Sequence, residues 1–257
     1  MSAQAYLDRI QGILSEIQTK EMKNIRVAAK IMAAAIRKKG RVYMYGSGHS
    51  VIPVLDLFPR YGSSVGFFPL YDPRLMWSSV IGPGGARELL WLERQEGYAR
   101  VFLQSYPLEK RDAMLVFSHG GLNAAPIEMA LEARARGLKV VTVSSHANAK
   151  IGKRSHSSGK ILSEAADVAI DNHVPPEDAL VDVGQIERVA AGSTVAAVAI
   201  AMSLVAETAA VLAKTGKVPP TFVSPNVPGV PPGHMAGVYQ AFTEFYYARP
   251  IKAKRPA

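Results

Sequence analysis

The sequence contains no cysteine. That excludes a disulfide framework, a thiol nucleophile and any thiolate-bound metal. Its six histidines show no His-Glu-x-x-His or comparable ligand spacing, so no metal is expected. Other signatures are missing too. No Gly-Lys-Ser/Thr triplet exists to build a Walker A loop, and the first glycine loop is no Gly-x-Ser-x-Gly elbow, since Ile52 rather than glycine stands two residues after Ser50. A dinucleotide fingerprint begins at Gly46 and Gly48, but its third glycine position is Val51. No cofactor is therefore expected. The first residues, Met1 to Arg9, are mixed and charged rather than an apolar signal region, and we find no run of about 18 apolar residues. The expectation is a cytoplasmic protein with no membrane partner. Acidic residues are outnumbered, 21 against 30 basic, which leaves a formal charge of +9. Such a field attracts anions. The cations are scattered, apart from Arg37-Lys38-Lys39 and a tail from Lys252 to Arg255, and neither run has interleaved aromatics. Nucleic acid is not an expected partner.

Hydrophobic residues make up 48% of the 257, enough for a substantial core. The most informative stretch runs from Arg41 to Ser50. A short strand rich in β-branched and aromatic residues leads into Gly46-Ser47-Gly48-His49-Ser50. Ser50 reads as an N-cap and Pro53 as a first-turn residue of the helix that follows. Backbone N–H groups at a helix start, together with glycines that admit a ligand closely, make an anion site, and phosphate is the usual anion. The construction recurs. A strand over 113–117 leads into Ser118-His119-Gly120-Gly121-Leu122-Asn123, and Pro126 opens the next helix. Both turns follow Gly-x-(Ser/Asn)-x-x-Pro, from Gly48 to Pro53 and from Gly121 to Pro126. Both carry a histidine, whose ordinary pKa near 6.5 suits proton transfer.

Apolar spacing predicts two helices over 4–39, closed by Gly40. Strands are expected at 41–45, 63–70, 113–117, 138–144 and 168–170. Helices are expected at 54–61, 86–104, 124–136, 195–212 and about 235–247, with Gly192-Ser193-Thr194 capping the long one. Six prolines between 217 and 233 predict an extended arm. Trp77 and Trp91 read as core. Strands alternating with helices mean parallel βαβ units in a doubly wound α/β sheet, whose ligands sit beyond the carboxyl ends of the strands.

These runs resemble the SIS (sugar isomerase) superfamily, over roughly residues 1–215. In that family a Gly-Ser-Gly-x-Ser loop and a Ser-rich loop together hold a phosphosugar. Gly46 to Ser50 is similar to the first. Ser118 to Asn123 is similar to the second, with Gly120 in place of a serine, so that one hydroxyl contact is lost or passes to Asn123. Phe58 to Gly62, Asp72 to Trp77, Ile81 to Gly85 and Ser118 to Pro126 resemble a bacterial group of SIS proteins related to the phosphoheptose isomerases. The glutamate those isomerases carry after the first loop is absent; Phe58-Pro59-Arg60-Tyr61 stands there. Gly82 to Gly85 followed by Glu93 and Glu96 is similar to the loop and acidic helix of N-acetylmuramic acid 6-phosphate etherases. Gln185-Ile186-Glu187 with Ser193-Thr194 is similar to the glutamate segment of several SIS enzymes.

The resemblance implies a flavodoxin-like, three-layer fold with a five-stranded, mainly parallel sheet and an N-terminal helix pair. It places one SIS domain over 1–215, including the helix pair at 1–39, and an arm and helix over 216–257. It implies a phosphosugar ligand held by Gly46, Ser47, Gly48, Ser50, Ser118, Gly120, Gly121, Asn123, Ser193 and Thr194. The chemistry expected is aldose–ketose isomerisation through an enediolate, with Glu187 as base and His49, His119, Glu93 and Glu96 as further acid–base candidates. The alternatives are an amino-sugar-phosphate lyase or etherase, and a phosphosugar sensor without turnover. The apolar N-terminal helices, the arm and the resemblance together suggest a homodimer or homotetramer.

Overall fold

A computed structural model describes residues 2–76, 85–216 and 218–249. Trp77, the run Gly82 to Gly84 and the basic tail from Lys252 lie outside the described residues.

Five strands form one parallel sheet: β1 (Val42–Gly46), β2 (Phe67–Pro69), β3 (Ala113–Phe117), β4 (Lys139–Ser144) and β5 (Val168–Asp171). Their order is β2-β1-β3-β4-β5. Val42 pairs with Phe67 on one side and with Ala113 on the other. The order reverses between β1 and β3, which opens a crevice at their carboxyl ends. β1 and β3 are buried along their whole length, as strands covered by helices on both faces must be. Alternation divides them between two cores. Val42, Met44, Leu115 and Phe117 join one; Tyr43, Tyr45, Met114 and Val116 join the other.

The first core lies under helices α1 (Ser2–Glu16), α2 (Met22–Arg37), α3 (Ile52–Leu57), α8 (Ser193–Ala213) and α9 (His234–Tyr247). The second lies under α4 (Gly85–Leu92), α5 (Tyr98–Phe102) and α6 (Ala124–Ala135). A short α7 (His146–Ile151) follows β4, and β6 (Ala179–Val181) pairs antiparallel with β7 (Val189–Ala191). The three-layer fold follows the sequence reading.

Several boundaries differ from it. The N-terminal helices are joined by a wider π-turn, Ile17–Glu21, rather than by a break. The first loop begins with a tight 3-10 turn, Gly48–Val51, and α3 ends at Leu57 because Phe58 is extended. The strand expected over 63–70 joins the sheet only over Phe67–Pro69, while Ser64 bridges Thr221 of the arm. The helix expected over 86–104 stops at Leu92 and restarts after Gly97, whose φ of 91° is outside the helical range. That break matters for the site. Trp91, expected in the core, is 61% exposed.

α8 is long and apolar enough, by length and composition, to cross a membrane, with a mean hydropathy of 2.1. Its Glu207 and Thr208 interrupt the apolar pattern, and the fold uses it as a core helix: Ala196, Ile200, Ala201 and Leu204 are fully buried. The arm does not project. Phe222 exchanges backbone hydrogen bonds with Gly62 and Ser63, and its ring meets Phe58 and Phe242. Arg41, 2% exposed, donates to the carbonyls of Phe245 and Tyr246, which holds α9 to the start of β1.

Candidate active site

The two glycine-rich turns stand on either side of the β1/β3 crevice. Gly48 and Gly121, the matched glycines of the two turns, have φ of 58° and 66°. A side chain is strained in that left-handed region, so both turns need glycine there. The turns also bond to each other. Ser50 was expected to cap a helix; instead its Oγ accepts the N–H of His119 across the crevice at 3.3 Å. Ser118 Oγ accepts the N–H of Gly121 at 3.2 Å, which closes the second turn on itself.

His49, Ser50, Ser118, His119, Ser193 and Thr194 line one narrow cleft, together with Phe117, Val143, Asn172 and Ala197. Three separated segments thus converge: the turn after β1, the turn after β3 and the start of α8. The N-terminus of α8 is already answered by the chain. Asp178, itself at φ 64°, accepts from the N–H groups of Gly192 and Ser193 and from Ser193 Oγ, at 3.1, 2.7 and 2.7 Å.

The remaining expected residues lie elsewhere. Ser47 and Asn123 turn away from the cleft toward Glu93. Glu93 accepts from Ser47 Oγ at 2.8 Å and from Asn123 Nδ2 at 2.6 Å, while its carbonyl accepts the N–H of Ala125 at the start of α6. Glu93 is 5% exposed, and burial pushes its carboxyl above the ordinary value, opposed by the Ser47 bond and by the Arg94 charge. The two turns are therefore tied from behind by one buried carboxylate. The helix break frees the Glu93 carbonyl for Ala125: in a continuous helix it would accept the N–H of Gly97, which instead donates to Glu128.

Glu96 is not in the cleft. It accepts from both the N–H and the hydroxyl of Ser157, which hold it below the usual carboxylate range. The segment so fastened also bonds Leu122 through Ser155 Oγ, so Glu96 braces the second turn from outside. Glu187 lies in the exposed connection between β6 and β7, beside Ile186 at 98% exposure, and does not line the cleft. Short three-residue strands leave little periodicity, which is why this hairpin was not expected. Arg60 and Arg74 pair with Asp56 and Asp72.

Residues 5–145 match the SIS domain. The chain belongs to the SIS domain family. A UPF0309 protein of Oceanobacillus iheyensis is 35% identical over 225 residues, covering 87% of this chain and 90% of the relative. One from Streptomyces coelicolor is 33% identical over 227 residues, covering 87% and 88%. Among solved structures, a phosphoheptose isomerase from Neisseria gonorrhoeae superposes with a TM-score of 0.52 at 14% identity, covering 79% of this chain and 95% of that one. A phosphoheptose isomerase from Francisella tularensis gives 0.50 at 17%, covering 80% and 95%. At these identities the likeness is one of fold.

Within this SIS protein, Asn172 is the cleft residue that sequence reasoning missed. It directly follows β5, in the polar run Asp171-Asn172-His173. Polar residues just past the carboxyl end of a parallel strand were the available signal. Gly120, where the family resemblance places a serine, has room for one. A Cβ there would meet nothing nearer than Asn148 Nδ2 at 3.5 Å. Gly120→Ser is expected to tighten inorganic phosphate binding about fivefold, the equivalent of one added hydrogen bond near 1 kcal/mol, as read by titration calorimetry. Unchanged or weaker binding would place the anion away from this turn.

Proposed function

We propose that this SIS protein binds a phosphosugar in the cleft between its two glycine-rich turns and α8, and interconverts aldose and ketose forms through an enediolate. The observation that carries the reading is the convergence of His49, Ser50, Ser118, His119, Ser193 and Thr194 on one cleft at the β1/β3 reversal. Hydroxyls and turn N–H groups suit a phosphate and the sugar hydroxyls. His49, on the exposed lip, is the group assigned to move the proton between the two carbons. His119, deeper in the wall, is assigned to the sugar oxygen whose charge grows in the enediolate. The cleft has room for little more than a water molecule, far less than most small-molecule sites, so entry of a sugar widens it.

Among the described residues no carboxylate lines the cleft. That observation favours phosphosugar sensing without turnover as the second reading. The lyase or etherase alternative rested on Glu93 and Glu96, which are committed to Ser47, Asn123 and Ser157.

The test is a melting panel of sugar phosphates against free sugars and inorganic phosphate, followed by NMR of the mixture that responds. A ligand at 100 times its Kd stabilises by about 2.7 kcal/mol. His49→Gln is expected to lower kcat by about a hundredfold or more while leaving the melting shift in place. A responding sugar phosphate that is never converted selects the sensor reading. A panel in which no sugar phosphate raises the melting temperature overturns both.

A further inference from the structure

The cleft histidine His119 is held by a residue that no motif singled out. Asn172 is 2% exposed, and its backbone N–H donates to the carbonyl of Ser144 at 3.0 Å. Its neighbour His173 is gripped in turn: the ring sits 3.2 Å from Glu21 Oε1 and 3.3 Å from Glu16 Oε2, and its N–H donates to Asp171 Oδ1 at 3.0 Å. Asn172 therefore has little freedom to move.

Its amide has a definite direction. Oδ1 accepts the N–H of Val174 at 3.0 Å, and an N–H can bond only to the oxygen end. The end facing His119 Nδ1, at 3.3 Å, is then the NH2 group, which can only donate. His119 Nδ1 must accept, so its proton resides on Nε2. The third contact agrees, because Nε2 lies 3.3 Å from the carbonyl of Pro176, an obligate acceptor.

We infer that Asn172 is a positioning residue that fixes His119 as the neutral Nε2–H tautomer and so makes it a hydrogen-bond donor in the cleft rather than a proton acceptor. With Nδ1 covered, the ring meets a ligand through Nε2–H, which exchanges the Pro176 carbonyl for a ligand oxygen. This selects ligands that present an accepting oxygen, a carbonyl or an enediolate, at that point of the wall. It also separates the two cleft histidines: His119 stabilises charge and His49 moves the proton. The tautomer stands on geometry alone; the donor role rests on the phosphosugar reading above.

The tautomer is read directly by long-range 1H–15N correlation on histidine-labelled full-length protein. His119 is assigned by the peaks lost in His119→Gln. The wild type is expected to show Nδ1 with the shift of a bare nitrogen and Nε2 with that of a protonated one. Asn172→Asp, whose carboxylate only accepts, is expected to put a proton on Nδ1 as well, because the Pro176 carbonyl still takes the one on Nε2, so that both nitrogens show protonated shifts. A wild-type His119 with its proton on Nδ1, or with the averaged shifts of an unconstrained ring, overturns the inference even if the variant fails to fold. An unchanged pattern in folded Asn172→Asp overturns it equally. Added fructose 6-phosphate is expected to move the Nε2 resonance and leave Nδ1 in place; movement of Nδ1 alone overturns the donor role. A correct tautomer with no sugar phosphate raising the melting temperature shows that the ligand reading, and not Asn172, has failed.

Discussion

Glu93→Ala is expected to cost about 3 kcal/mol, which for a chain of this size lowers the melting temperature by roughly 6–12 °C. The substitution leaves Ser47 Oγ and Asn123 Nδ2 without their acceptor and cuts the tie between the two turns. Phosphate binding should fall with it. Glu93→Gln separates shape from charge. The amide accepts from Asn123 and donates to Ser47, so it is expected to stay within about 1 kcal/mol of wild type. The pH dependence has a definite sign. Burial raises the Glu93 carboxyl above 4.5, so the fold favours its neutral form. That contribution is complete below the unfolded value and is lost as pH rises through the raised one. Glu93→Gln cannot ionise, and its melting temperature should gain on wild type as pH rises from 4.5 through the raised value. Matching melts of Glu93→Ala and wild type would remove Glu93 from the structural account.

The largest single loss is expected at Gly46. A Cβ there would fall 1.9 Å from the carbonyl oxygen of Ser50, 2.5 Å from its carbon and 3.0 Å from the nitrogen of Val51. All three are main-chain atoms, so no rotamer change relieves the clash. The 3-10 turn must unwind or β1 must shift, and every cleft contact of His49 and Ser50 goes with it. A cost above about 4 kcal/mol places the change among the exceptional destabilisations, with little folded protein expected. Gly120→Ala is the matched control in the other turn, where a Cβ meets only ordinary contacts, and it should stay within about 1 kcal/mol. Urea denaturation of both variants checks the pair. Equal midpoints would mean that the first turn does not need its close backbone approach.

The strands and turns were legible because their requirements are local. β1 and β3 are continuous apolar runs, and the two turns repeat one spacing because both place a glycine at positive φ. The break before Gly97 was not legible. A glycine costs a helix only about 1 kcal/mol, and the contacts that outweigh it come from Ser47, Asn123 and Glu128, all remote in sequence. The π-turn at Ile17–Glu21 escaped for the opposite reason: one extra residue per turn barely disturbs an apolar stripe. Glu187 entered through family resemblance and could not be placed by any pattern of its own. Asn172 stands in sequence as one of three polar residues at the end of β5; its meaning lies in the direction of an amide, which the neighbouring Val174 N–H fixes.

The carboxylate of Asp178 at the head of α8 has a consequence for selectivity. A free anion that approaches this helix competes with one that is covalently tethered, and tethering of this kind acts like a local concentration on the order of millimolar or above. Cellular inorganic phosphate, which offers charge and nothing else, meets that competitor on unfavourable terms. A sugar that also presents hydroxyls to Ser50, Ser118 and Thr194 does not depend on winning that position. On the proposed function, the protein discounts bare charge at its own helix terminus and leaves recognition to the pattern of oxygens around it.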